Sequence, residues 1–208
     1  MNNKISRTPS KAARHGQLAE LQRAQRRDER RRRLLILGVP ALLAVVILAI
    51  VVVQVAGRRN PSDITGLQKI SGLTNPHTDQ PVRYPQTPPA GGPHNPAWLN
   101  CGIYNQPVRN ENAVHSLEHG AVWITYQPDL AANQVAALRR IVGTNAKEIL
   151  SPYPDLPAPI VVSAWARQLQ LTSADDPRLP QFLRALRNGA QAPEPAGPCT
   201  GGTGTPTG

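Results

Sequence analysis

The chain is poor in the residues on which redox and nucleotide chemistry usually depend. Its 208 residues include two cysteines, one methionine and one phenylalanine, and aromatic residues make up only 4%. It holds no C-x-x-C pair, no c-type haem attachment signature, no glycine-rich phosphate loop and no G-x-S-x-G elbow. Dithiol exchange, nucleotide handling and the common serine-hydrolase arrangement therefore have no sequence support. No internal repeat is present. Acids are also scarce, with 13 Asp and Glu against 23 Lys and Arg, for a net charge of +10.

The location of that charge decides its meaning. Residues 1–33 carry 11 Lys and Arg against three acids (Glu20, Asp28 and Glu29), so +8 of the +10 belongs to this tail. The rest of the chain is close to neutral. The tail brings no aromatic or motif support for nucleic-acid binding, and no nucleic-acid partner is expected. Its sequence from Gly16 to Arg33 lacks proline and favours helix, as suits a juxtamembrane segment lying near anionic lipid.

Arg30 to Arg33 are followed at once by Leu34–Ala56, 23 residues without a charge. As a helix this run spans about 34 Å, enough for a hydrocarbon core of about 30 Å. A core helix would carry a polar face, and the apolar part of a cleaved signal peptide is shorter, so one uncleaved transmembrane helix is expected. The arginine block outweighs Arg58 and Arg59 across the run, which puts the N-terminus in the cytoplasm and residues 58–208 outside the plasma membrane. Cys101 and Cys199 then both lie in an oxidising compartment, where a disulfide can form and persist. Closing a loop of roughly 100 residues stabilises by about 4–5 kcal/mol in the chain-entropy picture. The alternatives are two free thiols, or Cys101 as a soft metal ligand.

Five segments follow: a basic cytoplasmic tail (1–33), a transmembrane helix (34–56), a linker (57–76), an extracytoplasmic domain (77–189) and a Pro/Gly/Thr-rich tail (190–208), disordered beyond Cys199. Prolines and glycines between His77 and Pro96 forbid helix and leave room for a short strand near Pro81–Tyr84. NENAVHSLEHG reads as a short helix, capped by Asn110 or Asn112 and closed by Gly120. Ala121–Tyr126, Glu148–Leu150 and Ile160–Trp165 read as strands. Leu130 to Val142 forms a helix ended by Gly143, and Leu179 to Leu186 another ended by Gly189. The pattern predicts a two-layer α+β domain, with two or three helices on a small, mostly antiparallel sheet.

Chemistry concentrates between Gly91 and Tyr126, which holds three of the five histidines. His115 and His119 stand four apart, so on a helix both imidazoles project from one face. With His94, or with His77 as the weaker choice, they would form a three-histidine site suited to zinc or copper. His15 is on the cytoplasmic side and is excluded. The string His115-Ser-Leu-Glu-His119 also fits the H-x-x-E-H pattern of inverted zinc proteases, with Glu118 as the base. That mechanism wants a longer helix and a further acidic ligand, and neither Glu148 nor Glu194 looks placed to supply one. Metal-free, the histidines would instead bond backbone carbonyls and fix loops, with Glu118 pairing with Arg109. Trp98, Tyr104, Trp123, Tyr126, Tyr153 and Trp165 are expected to pack in the core or at its rim.

The strings PPAGGPHNPAW, CGIYNQPV and ENAVHSLEHGAVWITYQP resemble the membrane-anchored bacterial proteins grouped as the domain of unknown function 3105 family, familiar from actinobacteria. The likeness covers about His77 to Trp165. It implies one N-terminal membrane helix and an exported domain, and it places His94, His115, Glu118, His119 and Gly120 in the family signature. It implies no activity. Three functions stay open: an envelope protein binding zinc or copper, a metal-free module for an unidentified envelope partner, and a metal-dependent hydrolase using Glu118.

Overall fold

The computed structural model describes residues 36, 40, 44–50, 64–142 and 147–207. The chain divides into two compact units, 1–57 and 58–208. In the first, Ile36, Pro40 and residues 44–50 are helical and exposed. Among the described residues no helix is long and apolar enough to cross a membrane. The basic tail, most of the expected 34–56 span and Gly143 lie outside the described residues.

The second unit is built on a six-stranded sheet. Its strands are β1 (Gln68–Lys69), β2 (Gly102–Ile103), β3 (Val122–Tyr126), β4 (Glu148–Pro152), β5 (Ile160–Ala164) and β6 (Arg167–Leu171), in the order β1-β6-β5-β3-β4-β2. Three helices accompany them: α1 (Asn110–Glu118), α2 (Ala132–Val142) and α3 (Arg178–Leu186). β1, β6, β5 and β3 pair antiparallel, whereas β3, β4 and β2 pair parallel. The sheet is thus mixed rather than mostly antiparallel. The reason is α2, a helical crossover that returns the chain to run β4 alongside β3 in the same direction.

Strand alternation sorts the core into two clusters. Val122, Ile124 and Tyr126 of β3 join Leu138 and Val142 of α2 and Leu179, Phe182, Leu183 and Leu186 of α3. Trp123 of β3 and Ile149 of β4 join Ala113, Val114 and Leu117 of α1 with Leu99, Tyr104 and Trp165. Because successive strand residues face opposite sides, α1 covers one face and α2 with α3 the other. Helices on both faces replace the expected two-layer packing. They also explain why β3, β4 and β5 are buried along their whole length.

Several local expectations change for identifiable reasons. No strand forms at Pro81–Tyr84, because the Val82 N–H donates to Glu111 Oε1 at 3.0 Å instead of to a neighbouring strand. β6 follows β5 through a tight turn at Trp165 and Ala166, with Ala166 in the left-handed region at φ 58°. Within the segment expected to be linker, Ile64 is buried in the core and β1 pairs with β6. The C-terminal segment is stitched back beyond Cys199: Thr203 bridges Leu99, and the Thr207 N–H donates to Ile103 O at 2.7 Å. Arg109, not an asparagine, caps α1, and it does so without a side-chain bond. α3 stops at Leu186, ahead of Gly189, with Arg187 extended and Asn188 left-handed.

Candidate functional site

Helix α1 is the floor of the site, and it is buried from Glu111 to Glu118 although most of these residues are polar. Each polar group therefore needs a partner. Ser116 Oγ donates to Leu99 O at 2.7 Å, and Asn112 Nδ2 donates to Ala97 O at 2.6 Å. Both partners lie in the proline-rich loop, which these bonds draw over the helix. Gly120 ends the helix at φ +84°, where a Cβ would meet the Asn188 and Pro195 backbone at 3.1 and 3.3 Å. Only glycine suits so tight an approach of the C-terminal segment.

The loop brings two Pro-His pairs together. His77 and His94 form a parallel bridge, with Thr78 N–H donating to His94 O at 2.7 Å and His94 N–H to Pro76 O at 3.1 Å. Their rings, 5.0 Å apart, meet the His115 ring at 4.9 and 4.8 Å. Ligand atoms of His77, His94, His115 and Glu118 all lie within 4.8 Å of one another. His77, the weakest candidate by sequence, belongs to this group. His119 adjoins it, its Nε2 lying 3.1 Å from that of His115.

The tautomers follow from the carbonyls. Nδ1 of His94 faces Gly92 O at 2.8 Å, that of His115 faces Asn95 O at 2.7 Å, and that of His119 faces Pro198 O at 2.7 Å. A carbonyl only accepts, so each Nδ1 carries a proton, and in its neutral form each ring directs the Nε2 lone pair into the site. Burial pushes the pKa of His115 down to about 4, against the pull of the Asn95 carbonyl; His119, His94 and His77 lower it further. At neutral pH this imidazole is uncharged, with its proton on Nδ1 and its Nε2 lone pair available to a metal ion.

Glu118 is 2% exposed. Asn75 Nδ2 donates to its Oε1 at 2.7 Å, leaving Oε2 at 2.9 Å from His94 Nε2 and 3.9 Å from His77 Nε2. It does not pair with Arg109, whose Nε donates to Glu111 Oε2 at 3.1 Å. Glu148 is also accounted for, with Oε1 accepting from Arg187 at 2.6 Å. Glu194 approaches the site after all, its Oε2 lying 3.7 Å from His119 Nε2. Sequence reasoning missed Asn75 and set Glu194 aside; neither stands in a motif.

The rings of Trp98 and Trp165 are more than core packing. Trp98 lies 5.8 Å from the His115 ring and 5.2 Å from that of His119, and Trp165 lies 5.9 Å from His94. Cys101 and Cys199 are joined in a disulfide. A separate open cleft of 460 Å³, lined among others by Tyr153, Glu111 and Asp155, is bordered by none of the histidines.

Comparison with known proteins adds one result. No curated protein and no solved structure matches the chain. A family described as protein of unknown function (DUF3105) matches residues 77–201, a span that includes the four histidines, Glu118, Glu194 and both cysteines. The chain therefore belongs to the DUF3105 family, whose matched region carries the whole histidine cluster.

Proposed function

We propose that this is a membrane-anchored cell-envelope protein whose exported domain binds one transition-metal ion, zinc or copper, through His77, His94, His115 and Glu118. One observation carries the metal reading: two pairs of acceptors face each other at close range. With each Nδ1 proton committed to a carbonyl, His115 Nε2 and His119 Nε2 at 3.1 Å have no proton to share as neutral rings. His94 Nε2 and Glu118 Oε2 at 2.9 Å are in the same position. A cation held by His94, His115 and Glu118 resolves the second contact directly, and it occupies the His115 Nε2 lone pair that the first contact leaves unpaired. Two ligands of one ion, each about 2.1 Å from it, can be at most about 4.2 Å apart. The 2.9 and 3.9 Å spacings to Glu118 fall inside that limit, and the widest spacing, up to 4.8 Å, needs about half an ångström of contraction for ligands opposite each other and more than about 1 Å for a tetrahedral zinc ion. Three imidazoles and a carboxylate suit zinc or copper(II) better than hard cations.

The metal-free reading would put a proton at each of these two contacts, making His94 and Glu118 a buried ion pair. A hydrolase reading asks Glu118 to act as base, yet Asn75 holds its Oε1 and its Oε2 lies among the His94 and His77 nitrogens, which favours a ligand role. The membrane anchor is supported by the uncharged Leu34–Ala56 run, and the exported location by that run's arginine flank and the disulfide.

The deciding experiment is elemental analysis of the untagged full chain in detergent beside His115→Ala/His119→Ala. About one equivalent of zinc or copper, lost in the variant, is the expected result. No metal after soaking and dialysis would overturn the reading and leave a disulfide-stapled interaction module.

A further inference from the structure

We propose that the Cys101–Cys199 disulfide sets the metal affinity of the histidine site, so that its reduction weakens metal retention without removing a ligand. This rests on the metal reading above. The bond ties together the two backbone segments that flank His119. On one side, Pro198, the residue before Cys199, supplies the carbonyl that accepts the His119 Nδ1 proton at 2.7 Å. Gly197 lies so close to the same ring that a Cβ there would overlap His119 Cγ and Cδ2. Glu194 completes this wall, its N–H donating to Glu118 O at 3.0 Å.

On the other side, Trp98 precedes Cys101 by three residues and packs its ring 5.2 Å from that of His119. The two segments also share backbone bonds: Cys101 N–H donates to Cys199 O at 2.8 Å, and Thr203 N–H to Trp98 O at 2.8 Å. Lys147 Nζ holds Pro195 O at 3.0 Å, upstream of Gly197. Between that anchor and Thr203 the chain is AGPCTGG, which forms no helix or strand. The disulfide is its covalent tie, spanning 98 positions. When it opens, the Pro198 carbonyl loses its fixed position and the His119 ring its orientation. His115, 3.1 Å away, loses the neighbour that confines it.

The reduction is an ordinary two-electron exchange. A dithiol attacks one sulfur, the S–S bond breaks, and a second attack within the mixed disulfide releases the other cysteine. Both protein sulfurs end as thiols carrying the two protons, and the dithiol becomes its cyclic disulfide.

The test uses the full chain in detergent and zinc alone as the probe. One sample is reduced with a phosphine, alkylated at both thiols so that they cannot bind zinc, and desalted. The other is kept oxidised and taken through the same steps. Zinc affinity is then measured by competition with a chromogenic chelator. Loss of a partner that directly orients a metal-binding imidazole typically costs roughly 10- to 100-fold in affinity; the Pro198 carbonyl acts on His115 through His119, so a drop of about 10-fold is expected. Gly197→Ala, with the disulfide intact, is expected to weaken zinc in the same direction by displacing the His119 ring.

Equal affinity in oxidised and reduced samples would overturn the coupling and leave the metal site standing. Loss of the near-ultraviolet dichroism together with zinc would also overturn it, because the effect would then be global unfolding. No zinc in the oxidised sample would overturn the metal reading and this inference with it.

Discussion

His115 and His119 hold their Nε2 atoms 3.1 Å apart while each Nδ1 faces a backbone carbonyl, Asn95 O for one and Pro198 O for the other. The pair is not symmetric in its neighbours. His115 shares the close group with His77, His94 and Glu118, whereas His119 faces outward to the exposed carboxylate of Glu194. His115→Ala should therefore abolish metal retention. His119→Ala should keep close to one equivalent but bind it roughly 10- to 100-fold more weakly, as expected on losing an orienting neighbour. Dialysis followed by elemental analysis separates the two. Retention in His115→Ala with complete loss in His119→Ala would place the ion at His119 instead.

Asn75 works through Glu118. Its amide donates to Oε1 and turns Oε2 toward His94 and His77. Asn75→Ala leaves a buried carboxylate oxygen without that donor, a loss of about 1.5 kcal/mol for a bond to a charged acceptor. Thermal denaturation in metal-free buffer should show the destabilisation, and zinc affinity should fall in parallel. Asn75→Asp should be worse than alanine in metal-free buffer, since two carboxylates would then face each other. An Asn75→Ala variant with unchanged melting and unchanged affinity would remove Asn75 from the site.

These two cases show what the sequence could and could not disclose. α1, β3 and the His115/His119 spacing are local patterns, and periodicity with a closing glycine made them legible. The disulfide followed from there being only two cysteines. His77 and Glu194 reach the site through contacts distant in sequence, namely the His77–His94 bridge and the return of the C-terminal segment over Gly120. No local propensity encodes those. The paired Asn-Pro-His and Gly-Pro-His strings were the one available hint of the bridge. β6 was missed because only the QLQL part of RQLQL alternates polar with apolar, and the mixed sheet because the α2 crossover was not read as a parallel connection.

Glu111 couples the fold to pH. Burial tends to raise its pKa, but the Val82 N–H and the Arg109 guanidinium outweigh this and hold it below the usual 4.5. The unfolded chain then binds the proton more readily than the folded one, so Glu111 stabilises above about pH 4.5 and ceases to as pH falls through the lowered value. In melts run from about pH 6 to about pH 3, Glu111→Gln should lower stability at the upper end and flatten the acid limb. Parallel curves for wild type and variant would show that Glu111 carries no pH dependence.

The proposed membrane anchor allows a test by magnitude. Val45, Ile47 and Leu48 are helical and 63%, 59% and 63% exposed, as a lipid-facing surface would be in water. Each Leu, Ile or Val near the centre of a span favours insertion by about 0.3–0.6 kcal/mol, and a central Arg opposes it by about 2.5–3.5 kcal/mol. Over Leu34–Ala56, with its Pro40 and Gln54, the net drive is on the order of 5 kcal/mol. Leu48→Arg alone should therefore leave a weakened but inserted helix. Val45→Arg/Leu48→Arg should exceed the drive and release the protein from membranes washed in alkaline carbonate. Wild-type protein that is itself extracted by carbonate, or a mature chain whose mass lacks the N-terminal segment, would count against an uncleaved anchor.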